Sequence, residues 1–129
     1  LSGTARSVVL EVSGRTLPAA GDGLAERLRE LRRIGFRIAI DDWGSEEPAL
    51  GTLTPLAPAV VKLDIPLVRG LDGDRARRER VGRLTAALHD AGIEVAAEGI
   101  ETVGERHAAV DLGVDLLQGF LFGRPKPVS

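Results

Sequence analysis

Phe36-Arg37-Ile38-Ala39-Ile40-Asp41-Asp42-Trp43-Gly44 decides how this chain of 129 residues folds. Its first five residues form a short branched apolar run, the pattern of a buried strand, and two carboxylates stand where that run ends. Just ahead of it Leu24, Leu28, Leu31 and Ile34 recur at helical spacing, and Gly35 supplies the stop. The unit is helix, glycine, strand, with acid at the strand's C-terminal end.

The same unit recurs outward in both directions. Val8-Val9-Leu10-Glu11-Val12, Val60-Val61-Lys62-Leu63-Asp64, Ile93-Glu94-Val95-Ala96-Ala97 and Val114-Asp115-Leu116-Leu117 read as further strands. Val81, Leu84 and Leu88 form a helical stripe ahead of Gly92, and residues 105–112 form another ahead of Gly113. The linker from Ser45 to Pro58 carries Pro48, Pro55 and Pro58 and leaves room for a brief helix over Ala49 to Thr54. No internal repeat and no low-complexity linker divides the chain.

Strands alternating with helices imply parallel pairing through right-handed crossovers. An open doubly wound sheet and an arc of a (β/α) barrel both satisfy that alternation. The polar residues favour the barrel: Glu11, Asp41, Asp42, Lys62, Asp64, Glu98 and Gln118 all fall at or just beyond the C-terminal ends of successive strands. A barrel aims every one of those ends at one central site, whereas an open sheet gathers only those beside its switch point. The expected fold class is α/β: a partial (β/α) barrel of TIM type, with about five parallel strands and outer helices where a full barrel has about eight.

Composition narrows the function. Hydrophobic residues make up 43% of the chain, yet no run approaches the ~18 apolar residues of a membrane span. The absence of cysteine removes disulfides and thiolate chemistry and fits a reducing, cytoplasmic setting. A net charge of −2 gives no basic field for a nucleic acid polymer. The local run Arg75-Ala76-Arg77-Arg78-Glu79-Arg80 reads as a solvated helix face, because acids interrupt it and no aromatic is interleaved. The start at Leu1, almost directly into an apolar stretch, suggests a piece of a longer protein.

Glu11, Asp41, Asp42 and Glu98 offer hard oxygen ligands without cysteine or histidine, a set suited to Mg²⁺ or Mn²⁺. Converging carboxylates repel one another unless a cation neutralises them. His89 and His107 fall within helices, away from the strand ends. Adjacent aspartates can serve a common site only if the strand has begun to turn, since consecutive side chains on a regular strand point oppositely. Gly44 permits such a turn. Two ions about 3.5–4 Å apart activate water for phosphodiester hydrolysis. Lys62 would then hold that water or meet charge on the phosphate. The bland alternatives are a turn with a helix cap at Asp41 to Gly44, and an ion pair between Lys62 and Asp64 on one strand face.

Asp41-Asp42-Trp43-Gly44, Lys62-Leu63-Asp64, Ala97-Glu98-Gly99-Ile100-Glu101-Thr102 and Gln118-Gly119-Phe120-Leu121-Phe122-Gly123-Arg124-Pro125 together resemble the EAL domain family, whose versions are commonly DDFG, KID, AEGVET and QGY followed by proline. Leu10-Glu11-Val12-Ser13 resembles its preceding strand. The resemblance implies the C-terminal portion of one such barrel over residues 1–129. It also implies cyclic di-GMP as ligand, metal-dependent opening to the linear dinucleotide, and flanking sensory or signalling domains. By resemblance Glu11 would bind one metal, Asp41 would bridge two, and Asp42 and Glu98 would serve the second. Lys62 would position or deprotonate water, Glu101 and Gln118 would complete the polar shell, and Asp64 would support the lysine strand.

The sequence also departs from the family. The naming Glu-Ala-Leu segment and a metal-binding asparagine would both precede Leu1. Gly14 stands where a glutamate usually anchors the loop after the double aspartate, that loop reads Ser45-Glu46-Glu47-Pro48-Ala49, and Ile65 replaces a usual arginine. These departures imply a chain inactive by itself, with a degenerate cyclic di-GMP receptor or a dimerising signalling module as the alternative to a phosphodiesterase. An arc of a barrel also implies a homo-oligomer or contact with the missing barrel strands.

Overall fold

A computed structural model of the chain describes residues 9–15, 17–44, 51, 53–118 and 126–127. One sheet runs through it in sequence order: β1 (Val9–Ser13), β2 (Arg37–Trp43), β3 (Val60–Leu63), β4 (Glu94–Ala97), β5 (Leu116–Leu117) and β6 (Lys126–Pro127). The first five strands are parallel, as the alternation requires, with helices between them. The helices are α1 (Leu17–Arg33), α2 (Ile65–Val68), α3 (Arg75–Asp90) and α4 (Val103–Asp111). Parallel order from β1 to β5 brings the C-terminal ends of those five strands to one rim.

Four elements differ from the sequence expectation. β6 pairs antiparallel to β5, and two residues that include a proline carry no strand periodicity. The short helix α2 and a 3₁₀ turn at Leu71–Gly73 follow β3, because Asp64 leaves the strand at φ −62°, ψ 143° and Pro66 favours a first helical turn. Of the brief helix expected over Ala49 to Thr54, residues 49, 50 and 52 lie outside the described residues, and a 3₁₀ turn occupies Thr54–Leu56. The Ser45 to Ala49 loop and Gly119 to Pro125 also lie outside them.

The core forms where the sheet meets its helices. Ile38, Ile40, Val61, Leu63 and Val95 are fully buried along the central strands, against Leu28 of α1, Val81 and Leu88 of α3, and Ile100. Burying each such side chain contributes about 1.5–3 kcal/mol relative to exposure. One position works against the core: Thr85 of α3 is buried and its Oγ1 has no hydrogen-bond partner among the described residues. A buried unpaired hydroxyl costs about 1–3 kcal/mol. Thr85→Val is therefore expected to raise stability by about 1 kcal/mol in urea denaturation, and a loss of stability would contradict the reading.

The basic run at the start of α3 is not a solvated face. Arg77 donates to the Arg69 carbonyl, Arg78 to the Asp72 carbonyl at 2.5 Å, and Arg80 Nη2 to the Gly44 carbonyl at 2.9 Å. Only Arg75 of the four is left mostly to solvent, pairing with Glu79 at 3.5 Å. The physical reason is position. Two turn-rich segments precede α3 and leave carbonyls without ladder partners, and guanidinium groups satisfy them.

Candidate metal centre

The centre begins with a backbone irregularity. β2 keeps regular register with β3 at Ile40 opposite Val61 and regains it at Trp43 opposite Leu63. Asp41 and Asp42 therefore both stand against the single residue Lys62, which is the count of a β-bulge. Asp42 sits at φ +48°, left-handed and uncommon for a residue with a side chain. The turn that adjacent aspartates require is made at Asp42 itself, and Gly44 at φ +106° completes it. Both carboxylates consequently reach one side of the sheet.

Asp41, Asp42 and Glu98 each offer an oxygen within 4.8 Å of the others, and all three residues are half-buried. Asp42 N–H donates to Asp41 Oδ1 at 2.9 Å, fixing one aspartate against the next. Lys62 lies between Glu98 and one further acid: its Nζ is hydrogen-bonded to Glu11 Oε1 and stands 3.6 Å from Glu98 Oε1. Partial burial works to lower the Lys62 pKa, but the Glu11 bond and the fields of Glu11, Glu98 and Asp41 outweigh it and hold the ammonium above its ordinary value. Glu98 is pushed up, first by burial and then by Asp41, with Asp42 adding to it and Lys62 opposing. Like charges crowded this way are what a bound cation relieves.

The remaining sequence candidates make other contacts. Glu11 is committed to Lys62 and is not among the three converging carboxylates. Glu101 Oε2 is held by Arg69 Nη1 at 2.6 Å, and the same nitrogen donates to the Gly99 carbonyl at 3.1 Å. Gln118 is half-buried at the end of β5, where its carbonyl accepts from Ile100 N–H and its own N–H donates to the Ala97 carbonyl. Asp64 pairs with Arg15, whose Nη2 lies 3.2 Å and 3.3 Å from its two oxygens, and not with Lys62. Asp64 has left the strand face that Lys62 occupies. His89 and His107 lie on α3 and α4, His89 Nε2 being 2.7 Å from Asp115 Oδ2.

One supporting residue escaped the sequence reading. Glu105 is 3% exposed, and its carboxylate accepts from Gly70 N–H and Glu101 N–H, both at 2.8 Å, and from Thr102 N–H at 3.2 Å. Thr102 Oγ1 accepts from Glu105 N–H at 3.0 Å in return, closing a capping box at the start of α4. The signal was present as Thr102-x-x-Glu105 ahead of an apolar helix.

The EAL domain family model matches residues 2–125. This chain belongs to the EAL domain family. The EAL chain is 30% identical over 121 residues to the cyclic di-GMP phosphodiesterase RocR of Pseudomonas aeruginosa, covering 94% of this chain and 31% of RocR. It superposes on BlrP1 of Klebsiella pneumoniae in a calcium–cyclic di-GMP complex with TM-score 0.86 and 35% identity, covering 94% of this chain and 31% of that one. A manganese–cyclic di-GMP complex of BlrP1 gives the same TM-score, identity and coverage. The EAL chain thus spans less than a third of these relatives' length. Its parallel strands and helices are part of an EAL barrel, and among the described residues no helix is long and apolar enough to cross a membrane.

The donor set fits a divalent ion. Three carboxylates, clustered and half-buried, supply hard oxygens, and water can complete an octahedral shell.

Proposed function

We propose that this EAL segment holds one divalent cation, Mg²⁺ or Mn²⁺, on Asp41, Asp42 and Glu98, uses it to bind cyclic di-GMP, and does not hydrolyse the nucleotide by itself. The observation that carries this reading is the bulge that turns Asp41 and Asp42 together toward Glu98. A cation there would offer a Lewis acid to a phosphate oxygen or to water. Lys62 presents an ammonium beside the same carboxylates, positioned to meet phosphate charge. Glu11 orients that ammonium. A two-ion clamp needs a second set of ligands at short range, and Glu11, the further carboxylate at Lys62 among the described residues, is bound to the ammonium instead.

Titration of the purified chain with Mn²⁺, followed by electron paramagnetic resonance, is expected to give one equivalent bound. Asp42→Asn is expected to weaken it at least about tenfold, since it removes one of three charged ligands. Chromatography after incubation with cyclic di-GMP is expected to show no linear dinucleotide. Two bound equivalents, or turnover abolished by Asp41→Asn, would overturn the non-catalytic reading and favour a complete phosphodiesterase.

A further inference from the structure

The Asp42 bulge is a strained element, and the backbone carbonyls around it are held from three directions. The Asp41 carbonyl accepts from Gly14 N–H at 2.6 Å, and the Trp43 carbonyl from Asp64 N–H at 2.9 Å. The Gly44 carbonyl accepts from Arg80 Nη2 at 2.9 Å. The first two donors belong to backbone at the ends of neighbouring strands. Arg80 alone of the three is a side chain, reaching in from the second turn of α3, 36 residues away in the sequence.

Below Gly44 the packing is close. A Cβ at that position would lie 2.8 Å from Leu67 Cδ1, so Gly44 packs against α2 while the Arg80 guanidinium binds its carbonyl from α3. A left-handed residue with a side chain persists only where its surroundings over-determine it. The conformation of Asp42 therefore depends on its flanking carbonyls staying where they are.

We propose that Arg80 is a positioning residue for the cation site: by fixing the Gly44 carbonyl it keeps Asp42 in the left-handed conformation that turns its carboxylate toward Asp41 and Glu98. This rests on the cation-binding reading above. It assigns to α3, which supplies no carboxylate to the site, control over the site's geometry.

The sign of one measurement separates positioning from plain electrostatics. Arg80 is a cation on an element that packs behind an acidic site. If it acted only through its field, removing it would tighten binding of another cation. If it positions Asp42, removing it weakens binding, and groups that orient metal ligands typically account for about 10–100-fold in affinity. Arg80→Met keeps the apolar stem and removes the donors.

Mn²⁺ affinity of the 129-residue chain, read by electron paramagnetic resonance, is expected to fall about tenfold in Arg80→Met. Unchanged or tighter binding in that variant would overturn the proposal. Should Arg80→Met fail to fold, Arg80→Lys decides, because it keeps the charge and shortens the reach. A loss of about threefold supports positioning, and wild-type affinity refutes it. A wild-type chain that binds no Mn²⁺ at all sinks the cation site itself, whereas wild-type binding with an indifferent Arg80→Met sinks only the role of Arg80.

Discussion

Gly14→Glu is expected to destabilise the chain by roughly 2–3 kcal/mol and to weaken Mn²⁺ binding, even though it restores the residue usual in the family. A Cβ on Gly14 would lie 2.9 Å from the Asp41 carbonyl oxygen, 3.1 Å from that of Asp42 and 3.2 Å from the Trp43 Cα. All three obstacles are backbone, so none can swing aside as a flexible side chain would. They are also the backbone of the bulge, so relief of the clash must come from moving Asp41 and Asp42. The hydrogen bond from Gly14 N–H to the Asp41 carbonyl, at 2.6 Å, would be lost or stretched in the process. Urea denaturation and Mn²⁺ titration of Gly14→Glu and Gly14→Ala test this together. Wild-type stability with tighter metal binding in the glutamate variant would show that a side-chain anchor can be accommodated after all.

Glu105→Ala is expected to cost roughly 3–5 kcal/mol, because it leaves three backbone N–H groups without their acceptor and opens the capping box. Burial alone would raise the Glu105 pKa, but the N–H groups of Gly70, Glu101 and Thr102, with the field of Arg69, outweigh it and hold the carboxyl below its ordinary value of 4.5. The folded-state value is depressed, so the stabilisation is fully present above the ordinary value and is lost as pH falls through the lowered one. Glu105→Gln keeps the shape but turns one acceptor into a donor facing an N–H. Its deficit against wild type is expected to be large at neutral pH and to shrink below pH 4.5. A deficit that stays constant down to about pH 3 would show that the charge is irrelevant.

Glu105 also bears on the site. Its two oxygens tie Gly70, after α2, to Glu101 and Thr102, before α4. Arg69 adds a second tie to the Gly99 carbonyl. The turn that carries Glu98 out of β4 is thus fixed to the segment that follows Lys62 out of β3, which keeps ligand and ammonium in register.

What could be read from the sequence was whatever local chemistry alone dictates. Branched runs preceded by Gly35, Gly92 and Gly113 located the strands to within two or three residues, and polar residues at their ends located the rim. The placement of Asp42 could not be read that way. No local rule puts a residue with a side chain at φ +48°; that comes from Gly14, Asp64 and Arg80, which lie far away in sequence. The basic run was misread for the same reason, since alternating charge describes a solvated helix equally well as one whose arginines face open carbonyls. Glu101 was assigned to the polar shell by resemblance, and no local pattern announced its ion pair with Arg69. The capping box was legible and simply passed over.

The two outermost strands of the sheet differ in kind. β6 is two residues long, Lys126 and Pro127, and a short strand with lysine and proline resists further pairing. β1 is five residues long, parallel to its one neighbour, with Val9 47% exposed. Its outer N–H and C=O groups keep the spacing of a regular strand. Among the described residues the sheet therefore has one blunted edge, at β6, and one regular edge, at β1. A strand pairing beside β1 would extend the carboxylate rim from the Glu11 end.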